Sequence, residues 1–270
     1  MKKFWQWIIE LIFGAPPAEF ISSPLEAKGW GLVNEWMTCP VELIDALADN
    51  GCNCTHIELL AWGSLNLYDE NNTDGRRWVF DSLGKLLKQA KRRGIYVCIN
   101  LCNANIGDTK YPENGRTPLS RFDDAWFVRL LEQTIEIIRL AGMENNVALQ
   151  AVSEWQDWRS DRWCKILDDR WPGQKLWNKN SRPETAPAGH TPEYHPLSTR
   201  AFGAMNSYVL TDTGSILNEF GGLRGHVHHH DRLRNYVQTV RAKGNGFCFY
   251  CFNSAGNGID YDAIKTIGNS

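Results

Sequence analysis

Two glutamates each close an apolar run, Glu154 in VALQAVSE at 147–154 and Glu219 in SILNEF at 215–220. A carboxylic acid paired with a carboxylate is the equipment for breaking an acetal bond. The acid protonates the leaving oxygen and the carboxylate attacks the carbon, with the two groups held about 5–5.5 Å apart. Residues at the carboxyl ends of strands on opposite sides of a barrel meet that spacing, and such groups gather at that end. The bland alternative for either glutamate is a solvated strand-end acid or a partner for a nearby arginine.

Other residues fit a polyhydroxylated ligand beside such a pair. Trp62, Trp155 and Trp158 fall just past strand ends, where their flat faces would stack on sugar rings. Asn103 offers an amide donor and acceptor to hydroxyls, and His195, His226 and Tyr250 complete the expected binding set. Glu58 in THIELLAW and Glu35 after the first strand are expected to serve as hydrogen-bond supports or surface acids. The stretch GHVHHHD, with His226, His228, His229 and His230, also has the ligands for a transition metal. Carboxylate chemistry requires none, so the stretch is read as a cleft-lining loop, with no metal and no cofactor expected.

The elements that would position these groups alternate between short apolar runs and amphipathic helical segments, the pattern of a parallel sheet with helical crossovers. Strands are expected at 29–33, 54–60, 95–101, 147–154, 175–178, 207–211, 215–220 and 247–252. Helices are expected from Pro40 to Asn50, from Trp78 to Arg93, and from Asp123–Asp124 to Ala141, the last with Phe127, Leu130, Leu131, Ile135, Ile138 and Leu140 on its apolar stripe. Further helices are expected near 160–170, 198–206 and 231–243 and from Tyr261. Residues 178–195 read as irregular. Only Asp212-Thr213-Gly214 separates two of the expected strands, too little for a parallel crossover, so either a helix is missing there or SYVLT at 207–211 is not a barrel strand. The fold class is therefore α/β, a single compact (β/α)8 barrel over 29–270 behind an N-terminal apolar segment and lead-in over 1–28.

Composition narrows the partners. A net charge of −2 gives no electrostatic case for nucleic acid or an anionic membrane, which points to an uncharged substrate; beside the carboxylate pair, the expected partner is an oligo- or polysaccharide. The eight cysteines sit mostly inside apolar runs and read as reduced core thiols, favouring a reducing compartment; a zinc site at Cys52, Cys54, Cys248 and Cys251 is the alternative. The start, MKKFWQWIIELIFGAPPA, has features of a signal peptide. Trp5, Ile8, Ile9, Ile12 and Phe13 also fall at helical spacing, which would suit a helix that plugs the barrel bottom or docks on a partner. No stretch is long and apolar enough to span a bilayer.

SEW at 153–155, NEFGG at 218–222 and GFCFYCFNS at 246–254 together resemble clan A of the retaining glycoside hydrolases, the cellulase and mannanase group, over most of residues 29–265. The resemblance implies hydrolysis of β-linked glycans of the β-glucan or mannan class, with Glu154 as acid/base at the end of strand four and Glu219 as nucleophile at the end of strand seven. The chain departs from the family in three places. Ser153 stands where an Asn usually precedes the acid/base, strand two has no Arg to hold the nucleophile ionised, and Tyr250, Cys251 and Phe252 occupy the strand that usually offers a Trp platform. Those departures motivate a second expectation, a barrel without turnover that serves as a carbohydrate-binding or structural module.

Overall fold

A computed structural model describes residues 19–32, 35–59, 73–102, 122–153, 158–178, 186–194, 214–220, 229–251 and 261–269. Eight parallel strands close into a barrel in chain order: β1 (Lys28–Trp30), β2 (Cys54–Glu58), β3 (Tyr96–Asn100), β4 (Val147–Gln150), β5 (Gln174–Trp177), β6 (His190–Tyr194), β7 (Ile216–Phe220) and β8 (Gly246–Cys251). β1 completes the ring by pairing with β2 on one side and β8 on the other. Gly29 permits this closure, because a Cβ at that position would lie 1.9 Å from the carbonyl oxygen of Cys54.

The helices are α1 (Pro40–Asp49), α2 (Thr73–Arg93), α3 (Asp124–Ala141), α4 (Trp158–Arg170), α5 (His229–Ala242) and α6 (Tyr261–Gly268). Local chemistry sets their ends. The Asp123 carboxylate accepts from the Trp126 N–H at 2.8 Å to cap α3, and Gly142 stops that helix at φ 63°, a left-handed conformation that suits glycine. Phe127, Leu130, Leu131, Ile135 and Ile138 are buried as expected, whereas Leu140 is exposed. Two residues past Ile138 it lies about 200° further round the helix and leaves the stripe. The start of α2 falls at Thr73, more than a turn before Trp78, and Trp78 itself is exposed.

The larger correction concerns the sixth strand. HTPEY, read from sequence as irregular, is β6, paired with β5 and directly with β7. The ring closes with no place between β6 and β7 for SYVLT at 207–211, which lies outside the described residues. β6 escapes sequence reading because it contains Pro and lacks apolar alternation, so neighbouring strands and not propensity make it a strand.

The lead-in closes the amino end of the barrel. A 3-10 turn at Pro24–Glu26 is capped by Ser23, and Ile21 packs on the interior cluster. Asn53 accepts from the Lys28 N–H at 2.6 Å and donates to the Glu26 carbonyl at 3.1 Å, fixing the lead-in to β2. The expected N-terminal apolar helix lies outside the described residues, as does the expected helix at 198–206. Among the described residues no helix is long and apolar enough to cross a membrane.

Candidate active site at the carboxyl end of the barrel

Side chains of a strand alternate between barrel interior and helical layer, so parity assigns the inward set. Towards the amino end it is apolar: Cys54, Tyr96, Cys98, Ala148, Leu176, Ile216 and Cys248 form one buried cluster. Further along β2, β3 and β4 it turns polar. Glu58, Asn100 and Gln150 are register partners on adjacent strands, and all three are buried. The Asn100 and Gln150 amides have no hydrogen-bond partner among the described residues.

Across this interior His56 Nε2 stands 3.4 Å from Glu193 Oε1, with both side chains almost wholly out of solvent. β2 and β6 are four strands apart in a ring of eight, so this contact crosses the barrel axis. The interior is therefore filled, and a substrate would be met above this pair at the carboxyl end.

Backbone pairing continues past the named strands towards that end. Leu32 N–H donates to the His56 carbonyl at 2.7 Å, Leu59 N–H to Asn100 at 2.8 Å, Leu101 N–H to Gln150 at 2.9 Å and Ser153 N–H to Cys102 at 2.7 Å. Ser153 is thus buried and anchored at the carboxyl end of the fourth strand. Glu154, the next residue, lies outside the described residues. Glu219 is the fourth residue of β7, and the pairing of β7 with β8 shifts register between Asn218 and Phe220, the kind of irregularity found beside active sites.

Of the other expected site residues, Trp62, Asn103, Trp155, His195 and His226 lie outside the described residues. Trp158 opens α4 and Tyr250 belongs to β8, each described by its backbone alone, and His229 and His230 open α5. Glu35 opens a short 3-10 turn, Glu35–Met37. Glu58 faces inward and is buried, so it is not a surface acid. Sequence reading missed Glu193 and His56. The signal was present for His56, which shares the inward parity of Glu58 two residues on, but nothing local marks Glu193 as its partner.

Cys39, Cys52, Cys54, Cys98, Cys102, Cys164 and Cys248 are free. Burial drives the Cys54, Cys102 and Cys248 thiols up, the hydrogen bond between Cys98 and Cys54 leads the rise at Cys98, and burial pushes Cys52 up to about 12. Such thiols stay protonated and behave as small hydrophobes. Among the described residues no group of three His, Cys, Asp or Glu is placed to hold a metal.

No protein-family model matches the chain, and no curated protein sequence does either. Solved structures do match in fold. A rutinosidase from Aspergillus niger aligns with TM-score 0.56 over 93% of this chain and 99% of that one, at 12% identity. The endo-beta-1,4-mannanase from Thermotoga petrophila aligns with TM-score 0.58 over 92% of this chain and 77% of that one, also at 12% identity. A glycoside hydrolase family 5 enzyme from Prevotella bryantii B14, solved with a xyloglucan tetradecasaccharide, aligns with TM-score 0.54 over 93% and 97% at 12% identity. At these identities the likeness is one of fold, and the chain resembles the barrels of the clan A glycoside hydrolases, the group its strand-end motifs resemble.

Proposed function

We propose that the chain is a retaining glycoside hydrolase acting on β-linked glycans of the β-glucan or mannan class, with Glu154 as acid/base and Glu219 as nucleophile. The observation that carries this reading is positional. The residue before Glu154 is anchored at the carboxyl end of the fourth strand, and Glu219 lies near the carboxyl end of β7, which supports a reading in which the two glutamates work from one rim of the barrel. In the first step Glu154 would give its proton to the leaving oxygen while Glu219 forms a bond to the anomeric carbon. In the second, Glu154 would take a proton from water, which displaces Glu219 and frees the sugar.

Trp62, Trp155 and Trp158 would supply stacking faces, and Asn103, His195, His226 and Tyr250 the polar contacts to hydroxyls. The N-terminal apolar segment would serve docking. It enters the described chain at Glu19, and the lead-in that follows packs at the amino end of the barrel, away from the candidate site.

The test is hydrolysis of aryl β-glycosides, soluble β-glucans and mannans by the native chain beside Glu154→Gln and Glu219→Gln. Glu219→Gln is expected to abolish turnover, and Glu154→Gln to lower kcat by about 10²–10⁴-fold, least for aryl leaving groups that need no protonation. The absence of Arg from β2 favours a second reading, a glycan-binding barrel without turnover. Polysaccharide binding without hydrolysis of any substrate would select it.

A further inference from the structure

β6 is poorly equipped to hold its own place in the ring. It has five residues, its central Pro192 has no N–H to donate, and its register with β7 consists of Glu193 opposite Ile216 and Tyr194 opposite Leu217. β7, which carries Glu219, nevertheless depends on β6 for its pairing on that side.

Two histidine–carboxylate pairs grip β6, one on each face. Outward, the His190 ring lies in the helical layer with Nε2 2.8 Å from Asp168 Oδ1 on α4, Nδ1 3.4 Å from the Leu176 carbonyl oxygen, and the Trp177 ring edge-on at 6.3 Å. Inward, Glu193 meets His56 at 3.4 Å across the barrel axis. His56 belongs to β2, whose five residues all pair in register with β3. The inward pair therefore ties a sparsely paired strand to one of the most firmly paired.

We infer that His56 and Glu193 are positioning residues: by bracing β6 against β2 through the barrel centre, they fix where the carboxyl ends of β6 and β7 stand relative to β4. The consequence for catalysis rests on the hydrolase reading, whereas the brace itself does not. The pair works in a low-dielectric setting, with Cys54, Tyr96, Cys98 and Cys248 towards the amino end and Glu58 towards the carboxyl end. There, removing one partner of a buried ionisable pair is costly. The strain of that loss should fall on β6, which has few ties to β7, before it reaches β2.

Amide hydrogen exchange on the native chain, Glu193→Gln, His56→Gln and the double variant tests the brace. Exchange at Thr191, Glu193, Tyr194 and 216–220 is expected to speed by about tenfold or more in each single variant, with β3 amides unchanged and the double variant far from the product of the singles. On any glycoside the native chain hydrolyses, kcat per folded molecule should fall while KM holds, whereas a smaller folded fraction alone would leave that normalised kcat unchanged. Unchanged exchange in β6 and β7, or a rise spread evenly over the barrel, would overturn the inference. If Glu193→Gln does not fold, Glu193→Asp keeps the charge, shortens the reach by one methylene and is held to the same criteria. A chain that hydrolyses nothing but shows the localised exchange sinks the hydrolase reading alone. Turnover with unaltered exchange sinks the brace alone.

Discussion

At Gly29 a single hydrogen atom decides whether the barrel can close. A Cβ there would overlap the Cys54 carbonyl at 1.9 Å, and backbone, unlike the end of a flexible side chain, cannot step aside. Gly29→Ala is therefore expected to cost at least ~2 kcal/mol, read as a lower midpoint in urea at unchanged slope. The buried cysteines make a second prediction at the same scale. With their thiols driven up, chiefly by burial and at Cys98 first by its hydrogen bond with Cys54, Cys52, Cys54, Cys98, Cys102 and Cys248 should stay unlabelled by iodoacetamide at pH 8 in the folded protein and label once it is unfolded. Labelling of Cys54 or Cys98 without unfolding would mean that the floor is open to solvent. These thiols were legible in the sequence as core residues because they sit inside apolar runs. The contact of His56 with Glu193 was not, since it joins strands four apart in the ring and no periodicity within either strand encodes it.

Elements were legible where their own chemistry determines them. α3 carries its cap, its apolar stripe and its stop within one stretch of chain, and it forms where that stretch says it should. β6 carries a Pro and two charge-bearing side chains, and it becomes a strand because β5 and β7 supply its pairing and the two histidine–carboxylate contacts supply its grip. SYVLT drew the strand assignment instead, because its β-branched and aromatic residues satisfy local propensity. The outer grip on β6 should be proton-linked through Asp168. Burial alone would raise that carboxyl, but the His190 hydrogen bond and the Lys175 ammonium 3.2 Å away outweigh it and hold it below the usual carboxylate range. A depressed folded-state value stabilises the fold above the unfolded value and loses that contribution as pH falls through the folded one. Asp168→Asn should thus be less stable than the native chain at pH 7, and the gap should close as pH drops below about 4. A gap in denaturation midpoint that stays constant from pH 7 to pH 3 would show that His190 and Lys175 do not favour the ionised form.

For the whole molecule, the barrel converts strand order into distances. β4 and β7 stand three places apart in a ring of eight, so the separation of groups at their carboxyl ends is set by barrel width and strand tilt, not by any single loop. That width matters because two carboxyl groups about 5–5.5 Å apart leave room for direct attack on the sugar and retention, whereas about 6.5–9.5 Å admits a water and gives inversion. The resemblance of the strand-end motifs to the retaining clan A enzymes implies the closer spacing. His56 and Glu193 touch across the axis, so side chains fill the interior at that level, and the rim begins only a few residues above. Proton NMR of a β-glycoside digest, recorded before mutarotation, should then show the β-anomer of the newly released reducing sugar first. Appearance of the α-anomer first would place the carboxylates too far apart for Glu219 to attack, and would recast it as the base that activates a water.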